Sequence, residues 1–230
     1  MVYIIAIIIF LLLALYTVIP YGLSRGLGWK VMKRAESPTD IAFTFDDGPD
    51  PTYTPVLLDV LKENGVKATF FVVGNKAEKN PDIIRRMHRE GHLLGIHNYE
   101  HTSNWLMSPW KVKEGIEKTA DIIEEITGER TVYYRPPWGI LNLIDFIKDN
   151  RYRIILWSIS AEDWKASGGS DKIRRALTRI KGGDVVLLHD CGDTPGADIE
   201  APAITIDALK DVLPTVKAKG YTCVRVDEMQ

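Results

Sequence analysis

The sequence predicts an α/β fold built on a mainly parallel sheet, preceded by an apolar N-terminal helix. Three observations carry that expectation. Seven strand-like segments alternate with six helix-like ones across residues 39–230, and such alternation builds parallel sheets covered by helices. Ionisable residues gather just after five of the strands, where barrel and open-sheet enzymes place their sites. Ahead of all this, residues 2–19 contain no charged side chain.

That apolar run is the first element. About 18 residues at 1.5 Å each nearly cross a hydrocarbon core of about 30 Å. A cleaved signal peptide should carry a basic start and an A-x-A-like cleavage site, and neither is present. A retained anchor over residues 1–20 is the expectation, followed by a basic linker over 21–38 and one domain over 39–230. Arg25, Lys30, Lys33 and Arg34 follow the run, which under the positive-inside rule would hold the domain in the cytoplasm.

The domain then reads in order. Residues 41–45 form a buried strand, and 54–63 a helix stopped by Asn64-Gly65. A strand over 67–73 precedes a helix over 82–90, which Asn80-Pro81 opens and Gly91 ends. A strand over 93–96 leads to a long helix over 109–126, with Ser108 as N-cap and Gly128 as stop. A strand over 131–134 is followed by a helix over 141–149, and a strand over 153–159 by a helix over 171–180 capped by Ser170. Strand 184–188, helix 203–219 and strand 221–226 complete the series. An open doubly wound sheet and a closed barrel both satisfy this pattern.

Composition narrows the function. With 45% hydrophobic and 26% charged residues the chain is an ordinary globular protein. A net charge of −2 without a basic block in the domain argues against a nucleic-acid partner. Cys191 and Cys223 stand in unrelated contexts and cannot cage a metal by themselves, so unpaired, mostly buried thiols are expected.

The strand ends carry the candidate chemistry. Asp46-Asp47-Gly48-Pro49 follows the first strand, and His97-Asn98-Tyr99-Glu100-His101 the third. Arg135-Pro136-Pro137-Trp138-Gly139 follows the fourth, Glu162-Asp163-Trp164 the fifth, and His189-Asp190 the sixth. His97 and His101 at i and i+4 would share one side of a helical turn, a spacing that suits a divalent metal. Asp46 and Asp47 would repel unless a cation or shared proton neutralised one of them. Two histidines and one carboxylate leave open positions for water and substrate. Each motif alone has an ordinary reading, as a turn, a stiff loop, a cap or a buried histidine. Their recurrence at successive strand ends favours the functional one.

Thr44-Phe45-Asp46-Asp47-Gly48-Pro49, His97-x-x-x-His101, Arg135-Pro136-Pro137-Trp138-Gly139, Asp163-Trp164 and Leu187-Leu188-His189 together resemble, in order, the motifs of the NodB-like polysaccharide deacetylases (carbohydrate esterase family 4). The resemblance spans about residues 40–227. It implies a distorted (β/α)7 barrel, and so selects the closed alternative. It also implies removal of N-acetyl groups from N-acetylglucosamine-type residues of a cell-envelope polysaccharide: peptidoglycan, chitin oligomer or poly-N-acetylglucosamine. Asp47, His97 and His101 would hold a divalent metal, Zn2+ by ligand type, with Co2+, Ni2+ or Mn2+ as alternatives. Asp46 would be the general base, positioned by Arg135, and His189 the general acid, backed by Asp163. The backbone N–H near Trp138 would meet the oxyanion, and Trp164 and Leu187 would wall the acetyl pocket.

Asn98 stands where the family often has Ser or Thr, and Ser160 where many members have an earlier acid. An O-acetyl esterase and a catalytically silent carbohydrate-binding homologue are the alternatives. Loss of Asp46 or His189 would mark the silent one, and both are present. The expected partners are an acetylated polysaccharide and, through the N-terminal helix, the membrane. Because such polymers lie outside the cell, the domain is expected to face outward, against the local charge bias. Trp105, Trp110 and Trp138 offer either sugar-stacking faces or packing.

Overall fold

A computed structural model describes residues 2–143, 145 and 151–229. Helix α1 (Val2–Leu27) is long and apolar enough to cross a membrane, and its most apolar stretch has no buried residue. Among the described residues nine strands follow: β1 (Val31–Met32), β2 (Asp40–Asp46), β3 (Thr69–Val72), β4 (Leu93–Ile96), β5 (Tyr133–Tyr134), β6 (Arg153–Ile155), β7 (Ile159–Ser160), β8 (Val185–His189) and β9 (Thr222–Cys223). Between them run α2 (Tyr53–Glu63), α3 (Gly74–Lys79), α4 (Pro81–Arg89), α5 (Pro109–Thr127), α6 (Gly169–Leu177) and α7 (Ala201–Ala218).

Every strand pairing in the sheet is parallel, and the order is β1-β6-β5-β4-β3-β2-β8-β7, with β9 added to β2. β7 lies at one end of that order and β6 next to the other end, yet only residues 156–158 join them. Four residue steps reach at most about 14 Å, so the sheet must curl until β7 returns beside β6. The expected distorted barrel is what results, and the single strand expected over 153–159 is β6 and β7 with a break between. Its first half pairs with β5 and its second with β8.

Side-chain alternation gives this barrel two faces. Ile41, Phe43 and Phe45 of β2, Phe70 and Val72 of β3, and Val186 and Leu188 of β8 join the core beneath the helices. Ala42, Phe71, Ile155 and Val185 pack with Val226 inside the curl. Thr44 and Asp46 share the inner face with Ala42, and Leu187 and His189 share it with Val185. The floor of the barrel is therefore apolar and its upper interior polar.

The helices form the outer layer, with α7 against α2 and α6, and α5 against α3, α4 and β4. In α5, Val112, Ile116, Thr119, Ala120 and Ile123 are buried at three- and four-residue spacing. Ser108 Oγ accepts the Lys111 N–H, and Gly128 at φ 79 ends the helix, as expected.

Other expectations need correction. The segment expected as a linker contributes β1, which extends the sheet beside β6. Helix α3 was not foreseen, because six residues are too few for an apolar period to show. Helix α6 starts at Gly169 rather than after a Ser170 cap: Gly168 is left-handed at φ 95, and Ser170 Oγ instead accepts from Arg174. The helix expected over 141–149 falls largely outside the described residues. Both cysteines are free, Cys191 buried and Cys223 half-buried.

At the base of β8 the incoming chain crosses so closely that a Cβ on Gly182 would stand 1.9 Å from the Pro38 carbonyl oxygen. Gly182→Ala should therefore destabilise the fold by about 1–3 kcal/mol, lowering the thermal midpoint by roughly 2–10 °C. An unchanged midpoint would show that this crossing does not pin the sheet.

Candidate active site

The polar end of the barrel is built around a buried cation of the chain itself. Arg135, one residue beyond β5, has no solvent exposure. Its Nη1 donates to Asp46 Oδ1 and Thr44 Oγ1, both at 2.7 Å, while Nε and Nη2 donate to the Ile155 and Leu156 carbonyls at 3.0 Å. Burial lowers its pKa, and the Asp46 charge and hydrogen bond oppose that. The buried guanidinium is thus paired with a carboxylate and makes four hydrogen bonds, the condition under which buried charges are tolerated.

Asp47 leaves β2 in the left-handed region at φ 77, which Asp tolerates better than most residues. That turn separates the two carboxylates: Asp46 faces Arg135, and Asp47 faces the histidines. Asp47 Oδ1 lies 3.2 Å from Nε2 of both His97 and His101, and one ligand atom from each residue lies within 4.8 Å of the others. His97 Nδ1 is 2.6 Å from the Arg135 carbonyl oxygen. Since that oxygen only accepts, Nδ1 carries a proton, and Nε2 is the nitrogen turned toward Asp47. Asp47 Oδ1 and His101 Nδ1 have no hydrogen-bond partner among the described residues. Burial alone would raise the Asp47 pKa, but the imidazoles of His101 and His97 and the charge at His189 hold it well below the usual carboxylate range. An ionised buried oxygen facing two imidazole nitrogens fits a divalent cation.

The two histidines do not share a helical turn. Asn98 at φ 60 turns the chain abruptly after β4, and a buried amide–phenol network fixes the loop. Asn98 donates to Asn104 Oδ1 at 2.9 Å and accepts from the Tyr134 hydroxyl at 2.9 Å, which accepts from Asn104 at 2.8 Å.

On the opposite wall, β2–β8 register sets Asp46 beside His189. His189 Nδ1 meets Asp163 Oδ1 at 2.8 Å, and Asp163 Oδ2 accepts from the His189 N–H and Thr205 Oγ1. Burial lowers the His189 pKa, but Asp163, with Asp47 and Asp46, more than reverses this and raises it to about 9. The Trp164 ring stands edge-on to His189 at 5.6 Å, and Leu187 lies two residues below on the same face. Trp138, 44% exposed, sits edge-on to His101 at 4.4 Å. All ten residues singled out in the sequence thus lie around one rim.

A family model described as polysaccharide deacetylase matches residues 33–148. A peptidoglycan-N-acetylglucosamine deacetylase of Bacillus cereus is 36% identical over 193 residues, covering 82% of this chain and 87% of that relative. The chain belongs to the polysaccharide deacetylase family.

The deacetylase is 34% identical to PgdA of Listeria monocytogenes over 85% of its own length and 40% of that protein. Among solved structures it matches the Bc1960 peptidoglycan N-acetylglucosamine deacetylase at a TM-score of 0.80, with 32% identity, covering 90% of this chain and 95% of that one. A family 4 acetyl xylan esterase from Clostridium thermocellum, solved with a cobalt ion, matches at 0.73 and 32% identity, covering 82% of this chain and 89% of that one.

Several supports of the rim were missed in the sequence. Thr194 Oγ1 donates to Asp47 Oδ2 at 2.7 Å, and Lys76 Nζ to the Asp47 carbonyl at 2.9 Å. Thr205 Oγ1, from α7, donates to Asp163 Oδ2 at 2.9 Å. Asp190, beside His189, accepts from Thr54, and burial pushes its carboxyl up to about 7. None of these side chains has a local pattern that announces its partner.

Because the His189 pKa is raised, its pairing stabilises the fold fully below the usual value of about 6.5 and is lost as pH rises through about 9. Asp163→Asn should move the imidazole titration of the deacetylase down by about one unit or more, equivalent to ~1.4 kcal/mol. An NMR titration reads this directly, and a curve unmoved by the substitution would exclude Asp163 as the cause.

Proposed function

We propose that the chain removes N-acetyl groups from N-acetylglucosamine-type residues of a cell-envelope polysaccharide, using a divalent cation held by Asp47, His97 and His101. The observation that carries this reading is the unpartnered Asp47 Oδ1 facing two imidazole nitrogens, with Asp46 and His189 on adjacent strands beside it. The donor set favours Zn2+, with Co2+, Ni2+ or Mn2+ as alternatives. A cation held there supplies Lewis acidity, lowering the pKa of water to about 7 and polarising the acetyl oxygen.

The chain's own groups divide the remaining work. Asp46, oriented by Arg135, takes the proton from the attacking water. His189, kept protonated by Asp163, gives its proton to the amine nitrogen as the C–N bond breaks. The Trp138 N–H donates to the developing oxyanion. Trp164 and Leu187 bound a small apolar space for the acetyl methyl. One acid and one base on neighbouring strands let attack and departure proceed without either group changing place.

The names of the relatives support a glycan amide as the substrate: peptidoglycan N-acetylglucosamine in B. cereus and L. monocytogenes, and chitooligosaccharide in Azorhizobium caulinodans. The acetyl xylan esterase of like fold supports the ester alternative. Residues 1–20 would anchor the protein and 39–230 would carry the reaction outside the membrane. Protease treatment of intact cells tests that orientation, and a fully protected domain would end it.

Acetate release from peptidoglycan, chitin oligomers and acetylated xylan, with and without chelator, tests the chemistry. Release should come from the amide substrates and stop with chelator. Asp47→Ala should lose the metal. Asp46→Asn should retain it while turnover falls by about 10²–10⁴; normal turnover in that variant would remove Asp46 from the role of base.

A further inference from the structure

We infer that Arg25, near the end of α1, is a positioning residue for the active site, clamping the Trp138 backbone beside His101. The inference rests on the function proposed above. Arg25 Nη2 donates to the Trp138 carbonyl at 3.2 Å across 113 residues of sequence. Its guanidinium lies 3.9 Å from the centre of the Trp157 ring, and the Tyr21 ring adds a second face at 5.9 Å. Lys33 Nζ donates to the Arg25 carbonyl at 2.6 Å, so the backbone carrying the guanidinium is itself held.

The loop has a shape that receives this side chain. A Cβ on Gly139 would stand 2.2 Å from Arg25 Nη2 and 2.8 Å from the Trp157 ring. Glycine there leaves the opening through which Arg25 reaches Trp157. Its neighbour Trp138 is left-handed at φ 56, ψ 10, a conformation that a bulky residue keeps only when its surroundings impose it. On the inner side, the Trp138 ring stands edge-on to His101 at 4.4 Å, and the strained backbone is the one assigned to the oxyanion. The outer side is where Arg25 grips.

A purely structural reading would have Arg25 merely dock α1 on the domain. That task is shared, since Tyr21 packs edge-on to Trp105 at 6.0 Å from the same helix end. Only Arg25, among the described contacts, bonds the backbone of the residue that flanks His101. A planar cation that stacks on one ring while donating to a carbonyl also uses the fork geometry particular to arginine.

The test uses the full chain in detergent micelles, loaded with Co2+, and three variants. Arg25→Ala removes the clamp, and Arg25→Lys keeps a donor for the carbonyl without the planar stack. Arg34→Ala removes a comparable tether to the Gly182 carbonyl, at the opposite end of the barrel. Two readouts are taken: amide hydrogen exchange at Gly139 and Ile140, which bond to Pro136 and Pro137, and kcat for acetate release. In Arg25→Ala, exchange should quicken at least about tenfold and kcat fall roughly ten- to a hundredfold. Arg25→Lys should recover part of both, and Arg34→Ala should change neither. Wild-type exchange at those amides in Arg25→Ala would overturn the clamp. Absence of acetate release from the unaltered chain would instead overturn the proposed function, and the exchange result would still decide for or against the clamp.

Discussion

A guanidinium sealed inside a curled sheet is the constraint on which the rest depends. Arg135 has no water to solvate it, so every donor must find oxygen within the protein. It finds Thr44 and Asp46 on β2 and two carbonyls at the end of β6. Those four bonds set the distance between strands far apart in sequence, and they set the orientation of Asp46. Removing one member of such a pair costs about 3–5 kcal/mol because the other is stranded. The barrel and the site beneath its rim therefore stand or fall together. Its own backbone carbonyl then receives His97 Nδ1, so one residue steadies both halves of the Asp46–Asp47 pair.

Much of this was legible in the chain because local signals were strong. Alternating strands and helices are written in short periods, and Ser108, Pro109 and Gly128 mark α5 by chemistry that operates within a turn. The Asp47, His97 and His101 cluster was legible too, since Asp47 and His97 sit directly at strand ends, where parallel order brings them together, and His101 follows within one loop. The i, i+4 spacing suggested a helical turn, and the rings do lie close together without one. Asn98 at φ 60 brings the two rings together by an abrupt turn, and the spacing alone does not distinguish that from a helix.

What escaped was held by long-range partners or by too few residues. Thr194 reaches Asp47 across 147 positions, and Thr205 reaches Asp163 across 42. A threonine hydroxyl carries no mark of so distant an acceptor. Strand β1 has two residues and α3 has six, below the length at which periodicity speaks. The division of the fifth strand was hidden for another reason: residues 153–160 favour extended backbone throughout, and only the closure of the ring requires a break.

That break gives the ring an uneven strength. Between β2 and β8 the ladder is continuous from Ala42–Val185 to Asp46–His189, whereas β7 meets β8 only at Ile159–Val186 and Ser160–Leu187. The joints on either side of β5 are as short, with Ile96–Tyr134 alone joining it to β4 and two pairs joining it to β6. Thermal breathing of this barrel should part these short joints first, while the five-pair β2–β8 ladder beneath Asp46 and His189 remains seated. The fold thereby holds the two strands that carry Asp46 and His189 in fixed register while its other staves can loosen.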